Sequence, residues 1–153
     1  MAGGRGASAG RSDGAPLVLH ASCVVLGGAG VLITGAAGRG KSGLALGVMA
    51  VGADLVADDR TCLWTPDGVE LMADAPDSLR GLSEARHVGI LGARAAGPCR
   101  LALAVDLDVA EEMRLPPFRK STIMWSELPL LHFVDNPGFP AAIVQYVKGG
   151  RRD

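Results

Sequence analysis

The sequence has few aromatic residues and few cysteines. Aromatic residues make up 4% of the 153 residues, and the three cysteines, Cys23, Cys62 and Cys99, are widely spaced and form no CxxC pair. An odd number of isolated cysteines supports neither a disulfide framework nor a structural zinc site. We therefore expect a reducing, cytoplasmic environment.

An excess of one charge and a long apolar run are also missing. The formal net charge is −1, and although 48% of the residues are hydrophobic, no uninterrupted apolar stretch reaches the ~20 residues that span a bilayer. The charge balance argues against a nucleic-acid or anionic membrane partner. The length predicts a single domain.

Glycine is abundant, with 22 residues, and part of it lies at the start of the chain. Residues 1–16 are rich in Gly, Ala and Ser and contain no apolar block, which predicts a disordered leader rather than a secretory signal. A transit-like leader is the alternative, because the stretch carries arginines. The predicted domain is 17–148, followed by a short disordered tail, 149–153.

Short apolar runs separated by glycines predict a β-rich domain. Leu17–Leu19 and Ser22–Leu26 are interpreted as a strand pair or one bent strand, and Thr61–Thr65 and Val69–Met72 as a hairpin. The other predicted strands are Val31–Thr34, Leu55–Ala57, Val88–Leu91 and Leu101–Leu107.

The clearest predicted helix is Lys41–Val51. Leu44, Val48 and Val51 form its apolar stripe, and Gly52 follows as a C-terminal cap. With the strands on either side, this helix has the size of a βαβ unit. Ile143–Lys148 is interpreted as a terminal helix or strand.

The loop before this helix matches the phosphate-binding pattern G-x-x-x-x-G-K-[ST], known as Walker A, at every fixed position. Its residues are Gly35, Ala36, Ala37, Gly38, Arg39, Gly40, Lys41 and Ser42. Glycines let backbone N–H groups converge on phosphate oxygens, the lysine neutralises the β- and γ-phosphates, and the serine hydroxyl joins the Mg²⁺ shell. We therefore predict an α/β P-loop kinase domain with a central β-sheet, few helices and a hairpin-rich periphery, which binds ATP.

Two carboxylates, Asp58 and Asp59, follow the strand after the helix. One carboxylate there suffices for the magnesium side of a nucleotide site, so a second indicates a general base for phosphoryl transfer. The alternative is a solvated strand end.

Three more polar residues have no role that spacing alone assigns. Glu84 fits an exposed charged segment, Arg114 fits a surface helix with local salt bridges around Glu111, and His20 fits a structural strand histidine.

Taken together, these residues resemble the catalytic domain of the bacterial HPr kinase/phosphorylase family. The shared features are a strand histidine, His20, before the phosphate loop, a Leu-Val-Ala-Asp-Asp segment ending at Asp59, an acidic Glu-x-Arg motif starting at Glu84, and a later arginine, Arg114. The resemblance covers roughly residues 20–133.

The resemblance implies a role for each residue. Lys41 binds the β- and γ-phosphates, Ser42, Asp58 and Glu84 hold Mg²⁺, and Asp59 is the base that deprotonates the acceptor serine. Arg114 stabilises the transferring phosphoryl group, and His20 lines the phosphate site. The implied activity is ATP-dependent serine phosphorylation of the phosphocarrier HPr in a bacterial phosphotransferase system, with phosphorylase activity in reverse and a hexameric homo-oligomer.

The sequence departs from the family pattern at several positions. His87 replaces the glycine of Glu-x-Arg-Gly, Gly43 replaces an acidic residue, and the stretch 136–139 lacks an arginine after Pro-Gly, a departure that bears on phosphorolysis and on hexamer formation. A P-loop kinase with another protein or a small-molecule acceptor, and a nucleotide-sensing module without transfer, are the alternatives.

Overall fold

The structure, a computed structural model, describes residues 15–153, so most of the predicted leader lies outside the described residues. Within that range the chain forms a large central sheet, a small hairpin and two helices. The strands are β1 (Leu17–Leu19), β2 (Ser22–Leu26), β3 (Ala29–Thr34), β4 (Asp54–Ala57), β5 (Thr61–Trp64), β6 (Met72–Asp74), β7 (Leu82–Ala85), β8 (Gly89–Gly92), β9 (Cys99–Ala110), β10 (Arg119–Ile123) and β11 (Ser126–Phe133). The helices are α1 (Lys41–Ala50) and α2 (Phe139–Gly149), and a short 3-10 turn covers Asp77–Leu79.

The central sheet has the strand order β1-β5-β6-β9-β3-β2-β4. The long strand β9 runs parallel to β3 on one side, and on the other it pairs first with β6 and then, in parallel, with β11, which carries β10. Strands β7 and β8 form a separate antiparallel hairpin. The predicted mixed α/β fold with few helices and peripheral hairpins is confirmed.

The central strands are buried on both faces of the sheet, which explains their nearly continuous apolar runs. On β3, Val31 and Ile33 belong to a core cluster that includes residues of both helices, while Leu32 points into a second cluster on the other face. The central strands therefore fix the position of the loop that follows β3.

The two helices pack against each other on one face of the sheet. Gly47 of α1 permits this close approach, since a Cβ there would lie 2.9 Å from Cγ of Pro140. The predicted stripe on α1 is partly wrong: Val48 is buried, but Val51 is exposed, and the other buried residues of the helix are Ala45 and Lys41. No helix within residues 15–153 is long and apolar enough to cross a membrane.

Several predicted boundaries need correction. The first two strands do not pair with each other, because β1 pairs with β5 while β2 pairs with β3 and β4. The second strand of the predicted hairpin is Met72–Asp74 rather than Val69–Met72, because the carboxylate of Asp67 accepts the N–H groups of Val69 and Glu70 in a loop turn.

The last part of the chain differs most from the prediction. Strands β10 and β11 were not predicted, the segment Glu111–Arg114 is irregular rather than helical, and the terminal element is a helix that starts at Phe139. After α2, the guanidinium of Arg151 lies 4.0 Å from the ring centroid of Phe118. The disorder of the tail stays a prediction.

Candidate functional site

The sheet register brings the start of β2 to the ends of β3 and β4. Strand β2 runs antiparallel to both neighbours, with Ser22 opposite Ile33 and Cys23 opposite Ala57. The residues at and just before the start of β2 therefore lie beside the phosphate loop and the Asp58–Asp59 pair, which follow β3 and β4. Residues distant in sequence meet at this edge because strand β2 separates β3 from β4.

The phosphate loop, residues 35–42, turns through backbone conformations that favour glycine. Gly38 and Gly40 have φ of 84° and 96°, while a Cβ at either position would meet nothing within 4 Å, so conformation rather than space requires glycine. Gly40 caps α1, and among the described residues no side chain caps its first turn, which also contains no acidic residue. The N–H groups of that turn are therefore available to an anion, and the helix dipole favours one.

The side chain of Lys41 lies against the backbone of the phosphate loop. Its side chain is almost fully buried, and Nζ donates to the carbonyls of Gly35 at 2.7 Å and Ala36 at 3.2 Å. An ammonium group has three donors, so one remains for a ligand oxygen. The loop thus holds a cation next to the free N–H groups of α1.

Asp58 is a buried carboxylate that joins four elements of the fold. Its Oδ1 accepts hydrogen bonds from the hydroxyls of Ser22 and Ser42, both at 2.7 Å, and its Oδ2 accepts the N–H of Glu84 at 3.0 Å. These donors come from β2, α1 and β7, while Asp58 itself follows β4. The carboxylate thereby fixes the hydroxyl of Ser42 relative to the phosphate loop.

Asp59 faces away from this buried network. It has a φ of 69°, which turns the chain at the end of β4, and its Oδ1 lies 2.6 Å from Nε2 of His20. Both side chains are more than half exposed, and Arg60 Nε is 3.9 Å from the second carboxylate oxygen. Adjacent carboxylates in the sequence therefore occupy different environments, one buried and one open.

An open cavity of 610 Å³ lies between the phosphate loop, α1 and the β7–β8 hairpin. Of the residues predicted for the site, those lining it are His20, Ala37, Gly38, Gly40, Lys41, Ser42, Asp59 and Glu84. The other residues predicted for the phosphate loop, Gly35, Ala36 and Arg39, do not line the cavity, and Asp58 is buried behind Ser42. The volume is of the size that small-molecule ligands occupy.

Arg114 does not line the cavity and, unlike the other predicted site residues that do not, lies outside the phosphate loop and the Asp58 network. It is exposed in the irregular segment after β9 and, within residues 15–153, makes no hydrogen bond or ion pair. Its catalytic role stays a prediction.

Three residues at the site were not assigned a role from the sequence. Ser22 binds Asp58, Arg86 lines the cavity, and Asp108 accepts the Ala36 N–H at 3.0 Å and lies 3.4 Å from Nε of Arg39. Arg86 has a signal in the Glu-x-Arg motif. No sequence motif marks Ser22 or Asp108, because only the pairing of strands brings them to the site.

With this geometry established, comparison with known proteins assigns the family. Residues 15–98, more than half of the chain, match the model of the HPr serine kinase C-terminal domain. The chain belongs to this family. The matched range contains the phosphate loop, both aspartates and Glu84, but ends before Arg114.

Solved and curated members of the family agree with this assignment. The structure is similar to that of the Hpr(Ser) kinase/phosphatase from Coxiella burnetii, with a TM-score of 0.73 and 25% identity over 86% of this chain and 94% of that one. An HPr kinase/phosphorylase from Geobacillus thermodenitrificans is 34% identical over 139 residues, and one from Lactobacillus acidophilus is 44% identical over 73. The aligned segments cover 82% and 48% of this chain but only 45% and 23% of those relatives, so the chain spans less than half of their length.

The donor set of the site fits a metal ion that is bound together with a nucleotide. Within the part of the chain that the structure describes, no three His, Cys, Asp or Glu side chains cluster to form a metal site. Mg²⁺ commonly takes one or two protein oxygens and completes its shell with phosphate oxygens and water. The Ser42 hydroxyl and the Asp58 carboxylate, which lie together beside the phosphate loop, supply such oxygens.

Proposed function

We propose that the chain is an ATP-dependent serine kinase that acts on an HPr-type phosphocarrier protein. The observation that carries the proposal is the separation of the two neighbouring carboxylates. Asp58 is buried against Ser42 of the phosphate loop, and Asp59 is open to the cavity beside His20. Nucleotide binding alone has no need of the second, exposed carboxylate.

Each of these residues has one task in the proposed reaction. The free N–H groups of α1 and the ammonium of Lys41 bind the phosphates of ATP. Ser42 and Asp58, with Glu84 at the cavity wall, would hold Mg²⁺, which would neutralise negative charge on the phosphates. Asp59 faces the open side of the cavity, where an acceptor serine enters.

The transfer step balances with Asp59 as the base. Asp59 accepts the proton of the serine hydroxyl, the serine oxygen forms a bond to the γ-phosphorus, and the bond from that phosphorus to the β,γ-bridging oxygen breaks, which releases ADP. His20, at 2.6 Å from Asp59, orients the carboxylate. In the reverse direction the protonated Asp59 returns its proton to the serine oxygen as phosphate attacks phosphoserine to give pyrophosphate.

A transfer experiment with two lysine variants tests the proposal. The chain is incubated with ATP labelled at the γ-phosphate, Mg²⁺ and purified HPr, and label on an HPr serine is measured by mass spectrometry. We expect transfer by the wild type, loss of transfer in Lys41→Ala, and retention in Lys148→Ala, which removes an exposed lysine from the last turn of α2.

Three results overturn parts of this proposal. Nucleotide binding without transfer to any acceptor indicates a nucleotide-sensing module, and transfer only to another protein or a small molecule changes the substrate. Wild-type turnover in Lys41→Ala removes the phosphate loop from the reaction.

A further inference from the structure

Ser22 occupies an unusual position for a polar residue. It is completely buried at the start of β2, where its backbone pairs with Ile33 of β3, and its hydroxyl donates to Oδ1 of Asp58 at 2.7 Å. Burying a hydroxyl is costly unless it makes a hydrogen bond. A serine at this position is therefore specifically suited to hold the carboxylate of Asp58.

The two hydroxyls on Asp58 Oδ1 differ in their freedom to move. Ser22 is enclosed within the central sheet, whereas Ser42 lies in the first turn of α1 at the cavity wall and is only partly buried. Ser22 is thus the fixed donor, and it determines where the shared oxygen lies. A hydroxyl has one proton. When Ser42 donates this proton to Asp58, the lone pairs of its oxygen remain available to another partner.

The same hydroxyl also approaches the second carboxylate residue. The N–H of Asp59 points towards Oγ of Ser22 at 3.5 Å, a long contact that uses the acceptor side of the hydroxyl. Ser22 therefore stands between the backbone of Asp59 and the side chain of Asp58.

We propose that Ser22 is a positioning residue that sets the affinity for the metal–nucleotide complex by fixing Asp58 and, through it, the hydroxyl of Ser42. This inference rests on the proposed function. Loss of the Ser22 hydroxyl leaves one donor on each oxygen of Asp58, Ser42 on Oδ1 and the Glu84 N–H on Oδ2, so that the carboxylate, and with it the hydroxyl of Ser42, is held less firmly. Residues that orient metal ligands typically change metal affinity by about 10- to 100-fold.

Binding of Mn²⁺, used as a paramagnetic substitute for Mg²⁺, tests this role without turnover. The full chain is mixed with a non-hydrolysable ATP analogue, and bound Mn²⁺ is measured by electron paramagnetic resonance; binding of the analogue in EDTA is measured separately. We expect Ser22→Ala to weaken Mn²⁺ binding about tenfold and to leave metal-free analogue binding unchanged.

Ser83→Ala is the matched control. Ser83 is also a buried strand serine, but within residues 15–153 its hydroxyl has no hydrogen-bond partner. We expect this variant to bind Mn²⁺ and the analogue as the wild type does. Ser22→Cys is the second test variant, in case Ser22→Ala fails to fold, because a thiol occupies similar space but donates weakly. It should weaken Mn²⁺ binding to an intermediate degree.

The outcomes separate this inference from the proposed function. Wild-type Mn²⁺ affinity in a folded Ser22→Ala or Ser22→Cys variant overturns the positioning role, and so does an equal loss of metal-free analogue binding. Absence of any Mn²⁺–nucleotide binding in the wild type overturns the proposed function instead.

Discussion

Nε2 of His20 and Oδ1 of Asp59 lie 2.6 Å apart, although 39 positions separate the residues in the chain. The pair joins the turn before β2 to the end of β4. Because both side chains are more than half exposed, the pair contributes little to stability. The pair instead orients the carboxylate of Asp59, which faces the cavity rather than the buried network around Asp58.

The first prediction concerns Asp59. Asp59→Asn keeps the size of the side chain but removes the proton acceptor, so we expect nucleotide affinity to persist while transfer slows by about 10²-fold or more. Single-turnover transfer and equilibrium nucleotide binding measure the two effects. His20→Ala, which frees the carboxylate without removing it, should slow transfer less. A loss confined to nucleotide affinity would assign Asp59 to the metal instead.

The second prediction concerns the carboxylate behind the phosphate loop. Asp108→Ala leaves the Ala36 N–H without its acceptor at 3.0 Å. A hydrogen bond of this kind stabilises the loop by about 1 kcal/mol, so its loss should weaken nucleotide binding by about fivefold. Isothermal titration calorimetry measures this affinity. Asp108→Asn is the control, since its amide oxygen still accepts the N–H group and only the charge opposite Arg39 is lost. Equally weak nucleotide binding in both variants would show that the negative charge of Asp108, rather than its hydrogen bond, supports binding.

Local patterns in the sequence predicted the phosphate loop, α1 and the central strands. Each of these features depends on neighbouring residues: the glycines and Lys41 within one loop, and an apolar run such as residues 31–33 buried on both faces. Proline in a sheet is largely confined to edge strands, strand starts and bulges. The strand β11 was not predicted because it contains Pro129. Its partner β10 alternates between partly buried and exposed residues and has only one aliphatic side chain, Ile123.

Non-local features of the site had no signal of their own in the sequence. The order of the strands places β2 between β3 and β4, and only this order brings Ser22 to Asp58. Likewise, Asp108 meets the phosphate loop because β9 runs parallel to β3. Topology, rather than any motif, determines these contacts.

The third prediction concerns His87, which follows the Glu-x-Arg motif. It has a φ of 69° in the loop between β7 and β8, a left-handed conformation that costs a non-glycine residue about 1 kcal/mol. We therefore expect His87→Gly to raise the free energy of unfolding by up to about 1 kcal/mol, measured by urea denaturation. Ala85→Gly, at an extended position of β7, should lower it. Lower stability of His87→Gly would show that the imidazole makes a compensating contact.

The fourth prediction concerns acid stability. Asp74 accepts two hydrogen bonds from the guanidinium of Arg80, at 2.7 and 3.1 Å, and one from the Ala75 N–H. Burial acts to raise the pKa of Asp74, but these donors outweigh it and hold the pKa below its ordinary value of 3.8. The folded state therefore binds fewer protons than the unfolded state around that pH. The stabilisation is fully present above pH 3.8 and is lost as the pH falls through the lowered pKa.

Urea unfolding as a function of pH checks this expectation. The wild type should lose stability as the pH falls through and below about 4, and Asp74→Asn should be less stable at neutral pH with a flatter acid profile. A profile of Asp74→Asn parallel to that of the wild type would exclude the pair as a source of the acid sensitivity.

The last prediction concerns Arg114 and the irregular segment that carries it. The carboxylate of Glu111 fixes the ends of this segment, because it accepts the N–H groups of Glu112 and Met113 and pairs with Arg119, whose hydrogen bonds lower the pKa of Glu111. Arg114 itself makes no hydrogen bond or ion pair within residues 15–153, so its replacement should leave the melting temperature unchanged.

Any loss of turnover in Arg114→Ala must then come from the reaction and not from folding. Although the fold places Arg114 outside the cavity, the family resemblance predicts that it reaches the transferring phosphoryl group during the reaction. Turnover should then fall much more than ATP affinity, since the guanidinium acts mainly as charge redistributes in the transition state. Arg114→Lys should restore little, because an ammonium does not reproduce the planar fork of donors. Arg152→Ala, which removes an exposed arginine from the end of the chain, is the control and should match the wild type. Steady-state kinetics on the three variants decides the matter: unchanged turnover in Arg114→Ala would remove this residue from the reaction and restrict the site to the residues around the cavity.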